Sequence, residues 1–210
     1  AQININDLGL PQIILSTYKK SLSESEGIIL VTGPTGSGKT TTLYAGLRDL
    51  SDSSQNILTV EDPIEYTLKG IGQTQVNQKT GYSFATGLRA MLRQDPDVVM
   101  VGEIRDTETA QIAIQASLTG HLVLSTVHTN SAVGAITRLR DMGIESFLIS
   151  SSLKTVISQR LVRRLCDSCK VKTTINKDIA DLFGLKHNLE VYDHVGCDDC
   201  NGTGYKGRIA

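Results

Sequence analysis

Residues 28–40, IILVTGPTGSGKT, join an apolar run, a glycine-rich loop and the start of a helix-forming segment. The loop fits the pattern G-x-x-x-x-G-K-[ST] through Gly33, Pro34, Thr35, Gly36, Ser37, Gly38, Lys39 and Thr40. Glycines let the backbone wrap around a phosphate chain with its N–H groups turned inward, and a helix N-terminus attracts the same anion. We therefore expect a nucleotide-binding loop in which Lys39 contacts the β- and γ-phosphates, Thr40 ligates Mg²⁺ and Thr41 adds a contact. A glycine-rich turn without a ligand is the alternative.

Around this loop, short apolar runs alternate with segments of helical periodicity. The runs are residues 28–32, 56–60, 97–102 and 121–127, and the helix candidates are residues 39–50, 83–94 and 106–119. Apolar strands separated by helices predict an α/β fold whose mainly parallel sheet is covered on both faces. We also expect a helix at residues 12–22, a more polar strand at residues 71–76 in a hairpin or at an edge, and a long amphipathic helix over residues 148–165.

Size and composition limit the classes of protein that fit. The 210 residues suffice for one sizeable domain with a small appendage, and 40% hydrophobic residues are typical of a globular chain. The net charge is −1, whereas a protein that tracks nucleic acid usually carries a basic surplus, so we expect no nucleic-acid partner. No apolar run approaches the roughly 20 residues that span a bilayer, and the first residues lack a signal-peptide pattern. These features predict a cytoplasmic protein without a membrane span.

Acidic residues follow two of the predicted strands. Glu61 and Glu65 follow the second apolar run, and Glu103 follows the third, where Gly102 stands in place of the Asp of a typical Walker B strand. Ligands of open α/β sheets sit outside the carboxyl ends of the strands, so these acids are expected on the same rim as the loop. A nucleotide hydrolase needs carboxylates to orient water and hold hydrated Mg²⁺, and these three residues are the candidates. Solvated loop acids are the alternative, and for Asp106 we favour capping of the following helix.

Basic side chains are predicted near the same rim. Arg89 and Arg93 lie four residues apart on one helix candidate, so their like charges repel. A phosphate, including one on a neighbouring subunit, would relieve this repulsion, and a plain solvated face is the alternative. Arg105 follows Glu103 closely. His128 ends the fourth apolar run, where an imidazole could sense a γ-phosphate, although a structural histidine is the alternative.

The four cysteines form two C-x-x-C pairs, Cys166 with Cys169 and Cys197 with Cys200. Each pair puts two thiolates on one side of a tight turn, and two such turns complete a tetrahedral Zn²⁺ shell. A shell closed by four sulfurs leaves no open position for a substrate, so we expect a structural role. A redox pair is the alternative, but neither pair follows a strand and opens a helix, as a thioredoxin motif would.

Taken together, these residues resemble the ATPases of bacterial secretion and pilus systems. The resemblance rests on residues 33–40, 60–65 (VEDPIE), 95–106 (DPDVVMVGEIRD), 119–130 (TGHLVLSTVHTN), 137–143 (TRLRDMG) and 159–166 (QRLVRRLC). Residues 131–169 are most similar to the type II secretion branch, the general secretion pathway E proteins. The resemblance implies a RecA-like P-loop NTPase core at residues 27–165, a lead-in segment at residues 1–26, and a tetracysteine zinc subdomain at residues 166–210.

The same resemblance implies an activity and its partners. We expect an ATP hydrolase that needs ATP, Mg²⁺ and Zn²⁺, works as a homo-hexamer in the full-length protein, and docks from the cytoplasm on inner-membrane secretion platform proteins. Hydrolysis would power pseudopilus assembly for protein secretion across the outer membrane. A type IV pilus assembly ATPase is the alternative, followed by a nucleic-acid translocase and a nucleotide-dependent interaction module. The family's N-terminal arginines are missing and the C-terminus looks truncated, so we expect a largely monomeric fragment that binds nucleotide but hydrolyses it slowly.

Overall fold

The computed structural model describes residues 3–51 and 54–210. Its α-helices are α1 (Gln12–Leu22), α2 (Lys39–Leu50), α3 (Phe84–Leu92), α4 (Thr107–Ser117), α5 (Ala132–Asp141), α6 (Ser146–Ser152) and α7 (Lys177–Phe183). Its strands are β1 (Gly27–Thr32), β2 (Ile57–Glu61), β3 (Gly72–Gln75), β4 (Val98–Val101), β5 (Leu122–Val127), β6 (Leu153–Ser158), β7 (Val162–Leu165), β8 (Val171–Thr174), β9 (Glu190–Asp193) and β10 (Tyr205–Ile209). The predicted helices at residues 12–22 and 39–50 are confirmed residue for residue.

The first six strands form one parallel sheet in the order β3-β2-β4-β5-β1-β6. This confirms the α/β class with its parallel sheet. The strand expected near residues 71–76 is β3, an edge strand parallel to β2, so the edge interpretation is confirmed and the hairpin alternative is wrong. Strand β1 lies between β5 and β6, which places the loop that follows it inside the rim formed by the strand ends.

Two hydrophobic clusters cover the two faces of this sheet. Ile28 and Leu30 of β1 point into the cluster that holds α3 and α4, whereas Ile29 and Val31 point into the cluster that holds α1 and α2. Successive strand residues face opposite sides, so a strand made wholly of apolar residues is covered by both layers. The expectation of a sheet covered on both faces is thus confirmed.

The long helix expected over residues 148–165 is wrong. Helix α6 ends at Ser152, and the chain continues as β6, which extends the sheet by pairing in parallel with β1. The β-branched residues Thr155, Val156 and Ile157 favour a strand, and the edge of β1 offers hydrogen-bond partners that a helix could not use. The helical spacing of apolar residues here arose by chance from a short helix followed by strands.

The described residues divide into two compact units, one comprising the chain up to Arg160 together with Ala210 and the other spanning Leu161–Ile209. The second unit contains two antiparallel strand pairs, β7 with β10 and β8 with β9, together with α7. In the first unit, α1 buries Tyr18 and Leu22 against the α2 side of the sheet. Within residues 3–51 and 54–210, no helix is long and apolar enough to cross a membrane.

Candidate functional site

The glycine-rich loop adopts a conformation that requires glycine at its turns. Gly36 and Gly38 have φ values of +76° and +84°, a region that residues with a Cβ rarely adopt. Gly38 directly precedes α2, so the loop runs from the carboxyl end of β1 to a helix N-terminus. Thr40 and Thr41 lie half-buried in the first turn of α2, while Pro34 and Thr35 are exposed. The loop is therefore a cradle of backbone N–H groups that opens toward solvent.

Lys39 folds its ammonium group back into this loop. The residue is only 9% exposed, and Nζ donates hydrogen bonds to the carbonyl oxygens of Gly33 (3.0 Å) and Pro34 (3.1 Å). Burial lowers the pKa of Lys39, and the nearby carboxylate of Glu103 partly offsets that effect. A cation held among neutral carbonyls creates a positive potential, which suits an anionic ligand.

Ser37 is the second buried polar residue of the loop. Its Oγ has no hydrogen-bond partner among the described residues, although the residue is 3% exposed. Buried hydroxyl groups normally find a partner, so this one marks a place where polar contacts are incomplete.

Glu103 lies at the centre of a polar cluster at the carboxyl ends of the strands β4 and β5. Its Oε2 is 2.5 Å from Nε of Arg105, and its Oε1 is 3.1 Å from Nε2 of His128. Glu103 follows β4 and His128 follows β5, which are neighbouring strands. The Glu103 side chain is 12% exposed, so its carboxylate is held in a largely water-excluded position. The structure thus brings three of the predicted site residues together.

Glu61 and Glu65, the two acids after the second apolar run, occupy different surroundings. The carboxylate of Glu61 is 2% exposed and accepts hydrogen bonds from Tyr44, from Thr59 (2.5 Å) and from Gln73 (3.0 Å). These hydrogen bonds occupy acceptor positions of the Glu61 carboxylate. The carboxylate lies in the layer between α2 and the sheet. Glu65 is exposed, and its backbone N–H lies 3.3 Å from the Tyr44 hydroxyl. That Glu61 and Glu65 hold hydrated Mg²⁺ or orient water stays a prediction.

The arginines of α3 have separate environments. Arg89 forms a salt bridge with Glu108 of α4 at 2.7 Å, with both side chains more than half exposed. This cross-helix partner relieves the repulsion that we expected between Arg89 and Arg93. It could not be predicted from local spacing, because Glu108 lies 19 residues beyond Arg89. Arg93 is exposed at the end of α3. A contact of either arginine with nucleotide stays a prediction, while the capping role of Asp106 is confirmed by its bond to the N–H of Thr109.

Gln159 is a residue of the site that the sequence did not reveal. It follows β6, is 4% exposed, and its amide contacts Ser37 and Thr42. Gln159 was missed because residues 148–165 were expected to form a single helix. The β-branched residues 155–157 followed by the polar residues Ser158 and Gln159 were the signal that would have marked a strand end at the same rim.

The sulfur atoms of Cys166, Cys169, Cys197 and Cys200 all lie within 4.8 Å of one another. Neighbouring sulfurs are 3.8–3.9 Å apart, and a tetrahedron with Zn–S bonds of about 2.3 Å has edges of about 3.8 Å. Burial raises the pKa of Cys200, but backbone N–H groups of Cys197 and Gly204 outweigh burial and bring that pKa to about 6. Burial, followed by the hydrogen bonds with Cys169 and Cys200, raises the pKa of Cys197 to about 12. The separations of the sulfur atoms match the size of a tetrahedral metal site.

This chain is similar to secretion and pilus proteins. A family model described as type II/IV secretion system protein matches residues 1–210. The type II secretion system ATPase E of Vibrio cholerae is 61% identical, and the type II secretion system protein E of Pseudomonas aeruginosa 59% identical, each over 99% of this chain and 42% of the relative. This chain thus spans about two-fifths of the length of these curated relatives.

Two solved structures extend the similarity to the fold. The ADP-bound pilus retraction motor PilT superimposes with a TM-score of 0.72 and 40% identity, over 80% of this chain and 50% of that protein. The ATPase DotB of Legionella pneumophila gives a TM-score of 0.65 and 32% identity, over 78% of this chain and 47% of that protein.

Proposed function

We propose, because this chain belongs to the type II/IV secretion system protein family, that it is the ATP-hydrolysing motor domain of a type II secretion ATPase. One observation carries the proposal. The loop of Lys39, the imidazole of His128 and the carboxylate of Glu103 follow three adjacent strands, β1, β5 and β4, at the same rim. A cationic loop beside a fixed carboxylate is what attack of water on a γ-phosphate requires.

In this mechanism the loop binds the phosphates, and Glu103 orients the attacking water and accepts its proton. The Lys39 ammonium exchanges the carbonyls of Gly33 and Pro34 for β- and γ-phosphate oxygens. The Thr40 hydroxyl would hold Mg²⁺, which would neutralise part of the phosphate charge. Glu103 orients water and accepts its proton as the oxygen attacks the γ-phosphorus, the bond to the bridging oxygen breaks, and ADP and phosphate leave. His128 holds the Glu103 carboxylate in place and senses the γ-phosphate. Arg105 offsets the negative charge of the Glu103 carboxylate.

The cysteine cluster is proposed to hold one Zn²⁺ in a structural role. Four thiolates complete a tetrahedral shell and leave no open position for substrate. The sulfur separations given above support zinc, because they match the edges of a tetrahedral four-sulfur site.

Assembly and location are proposed from the family. A homo-hexamer of the longer protein would dock from the cytoplasm on inner-membrane platform proteins and drive pseudopilus assembly. Type IV pilus assembly is the second candidate, because the chain is also similar to a pilus motor, the retraction motor PilT.

Phosphate release by a full-length relative in which this chain replaces the matching segment tests the activity. We expect turnover that needs Mg²⁺, rises with the platform proteins and is unchanged by DNA. Stimulation by single-stranded DNA would favour a translocase instead, and nucleotide binding without turnover under all these conditions would favour an interaction module. Complementation of a strain that lacks its secretion ATPase, against one that lacks its pilus assembly ATPase, separates the two motor candidates.

A further inference from the structure

We infer that Gln159 is a positioning residue that holds the phosphate loop ready for nucleotide before nucleotide arrives. The inference rests on the proposed function, because it assigns a role within that binding site. Gln159 comes after the last strand of the sheet, about 120 residues beyond the loop that it contacts.

The carboxamide of Gln159 connects two parts of the loop region. Its Nε2 donates a hydrogen bond of 2.8 Å to the carbonyl oxygen of Ser37, and its Oε1 accepts one of 2.7 Å from Oγ1 of Thr42. All three residues are buried. One amide therefore ties the middle of the loop to the first turn of α2.

The backbone of Gln159 is fixed as firmly as its side chain. Its N–H donates to the carbonyl oxygen of Thr32 at 2.8 Å, which continues the pairing of β6 with β1. A Cβ added to Gly33 would lie 2.3 Å from the Gln159 carbonyl oxygen. The first glycine of the loop is thus required by the close approach of Gln159 as well as by phosphate.

The bond to Ser37 sets the direction of a neighbouring donor. In a planar trans peptide the N–H points opposite to the C=O, so anchoring the Ser37 carbonyl turns the N–H of Gly38 away from Gln159. We place the phosphate on that side of the loop, opposite Gln159. Without the anchor this peptide could rotate, and nucleotide would have to order it on binding.

The test compares two variants of this 210-residue chain. Gln159→Met keeps the length of the side chain and removes both contacts, whereas Thr42→Val removes only the contact with the helix. We expect Gln159→Met to weaken binding of MgATP and of inorganic tripolyphosphate about fivefold to tenfold, and Thr42→Val to weaken both about twofold or less. Tripolyphosphate reports on the loop alone because it carries no base or ribose.

Amide hydrogen exchange supplies a readout that a general loss of stability would not give. In Gln159→Met without ligand, exchange should rise at residues 33–38 but not in β4 and β5, and saturating MgATP should reverse the rise. Unchanged affinity, or equal losses in both variants, would overturn the inference. If Gln159→Met does not fold, Gln159→Asn, which keeps a neutral amide but is one methylene too short to span both contacts, takes its place in the same comparison. Failure of the parent chain to bind either ligand would count against the proposed function rather than against Gln159.

Discussion

The Nε2 atom of His128 lies 3.1 Å from Oε1 of Glu103, which joins the ends of the neighbouring strands β5 and β4. Arg105 contacts the other oxygen of the same carboxylate. A carboxylate held from both sides loses little conformational entropy when it must orient a water molecule, and that is the benefit of a preorganised site.

Replacing Glu103 by Gln should therefore separate binding from hydrolysis. The amide cannot accept the proton of water, so we expect phosphate release by the full-length relative to fall about 10²–10⁴-fold while affinity for MgATP stays close to that of the parent. Steady-state phosphate release and a fluorescent-nucleotide titration measure the two quantities. Glu24→Gln changes an exposed acid outside the site and serves as control. Turnover at the parental rate in Glu103→Gln would refute the assignment.

The cysteine cluster should bind one zinc per chain and stabilise the unit that contains it. Cys197→Ser removes one sulfur of the cluster, so we expect loss of metal and loss of protection from proteolysis within residues 161–209. Ser168→Ala is the matched control, because Ser168 lies between two cysteines and bonds to Asp199 rather than to the cluster. Metal analysis by mass spectrometry and limited proteolysis report the outcome. A Cys197→Ser protein that keeps a full equivalent of zinc would contradict the predicted ligand set.

The hydrogen bond from Tyr44 to the buried carboxylate of Glu61 should contribute to stability. Tyr44→Phe deletes the donor and leaves the carboxylate short of one partner, at a cost of about 1–3 kcal/mol in the free energy of unfolding at pH 7. Urea denaturation measures this cost, and Tyr192→Phe, at an exposed tyrosine, is the control. Equal stability of the parent and Tyr44→Phe would show that Glu61 does not depend on this donor.

The same pair predicts a dependence on alkaline pH. Burial, followed by the bond to Glu61, raises the pKa of Tyr44 far above its ordinary value. Tyrosine in the unfolded chain ionises near pH 10, so the contribution of the neutral Tyr44 is complete below that pH and is lost as pH rises above it. The difference in stability between the parent and Tyr44→Phe should therefore narrow above about pH 10. A constant difference from pH 8 to pH 11 would exclude this explanation.

Gly46 should resist replacement although it lies within a helix. A Cβ at Gly46 would approach Oη of Tyr18 to 2.2 Å, and Tyr18 is fully buried between α1 and α2. The gain in helix propensity of Gly46→Ala, about 1 kcal/mol, should be outweighed by crowding of about 1–3 kcal/mol. Urea denaturation of Gly46→Ala alone and combined with Tyr18→Phe tests the cause, because removal of the hydroxyl should relieve the crowding. An equal cost in both backgrounds would point to another contact.

The features that could be predicted from the sequence are those that depend on residues close together in the chain. The loop from Gly33 to Thr40 has a fixed spacing, the cap at Asp106 precedes a clear helix, and the paired cysteines can approach in few ways. Apolar runs such as residues 121–127 could be recognised as strands because both of their faces are covered. The family resemblance drawn from these segments is confirmed across the whole chain.

The remaining features depend on contacts between distant residues. Strand β6 is a strand because β1 offers an edge to it, and nothing within residues 153–158 announces that partner. From its place after a predicted strand, Glu61 was expected at the carboxyl edge of the sheet. Its carboxylate instead points inward, because Tyr44, Thr59 and Gln73 provide hydrogen-bond donors there. Gln159 lies at the site only because β6 exists.

The central position of β1 has a consequence for synthesis of the protein. All six residues of β1, GIILVT, are buried, and its two pairing partners are encoded about one hundred residues later or more. During translation this strand leaves the ribosome with both edges unpaired and waits for β5 and β6. Such a segment is a template for pairing between nascent chains. We therefore expect aggregation on the ribosome or shortly after release when this protein is produced, and chaperone capture of β1 would relieve it.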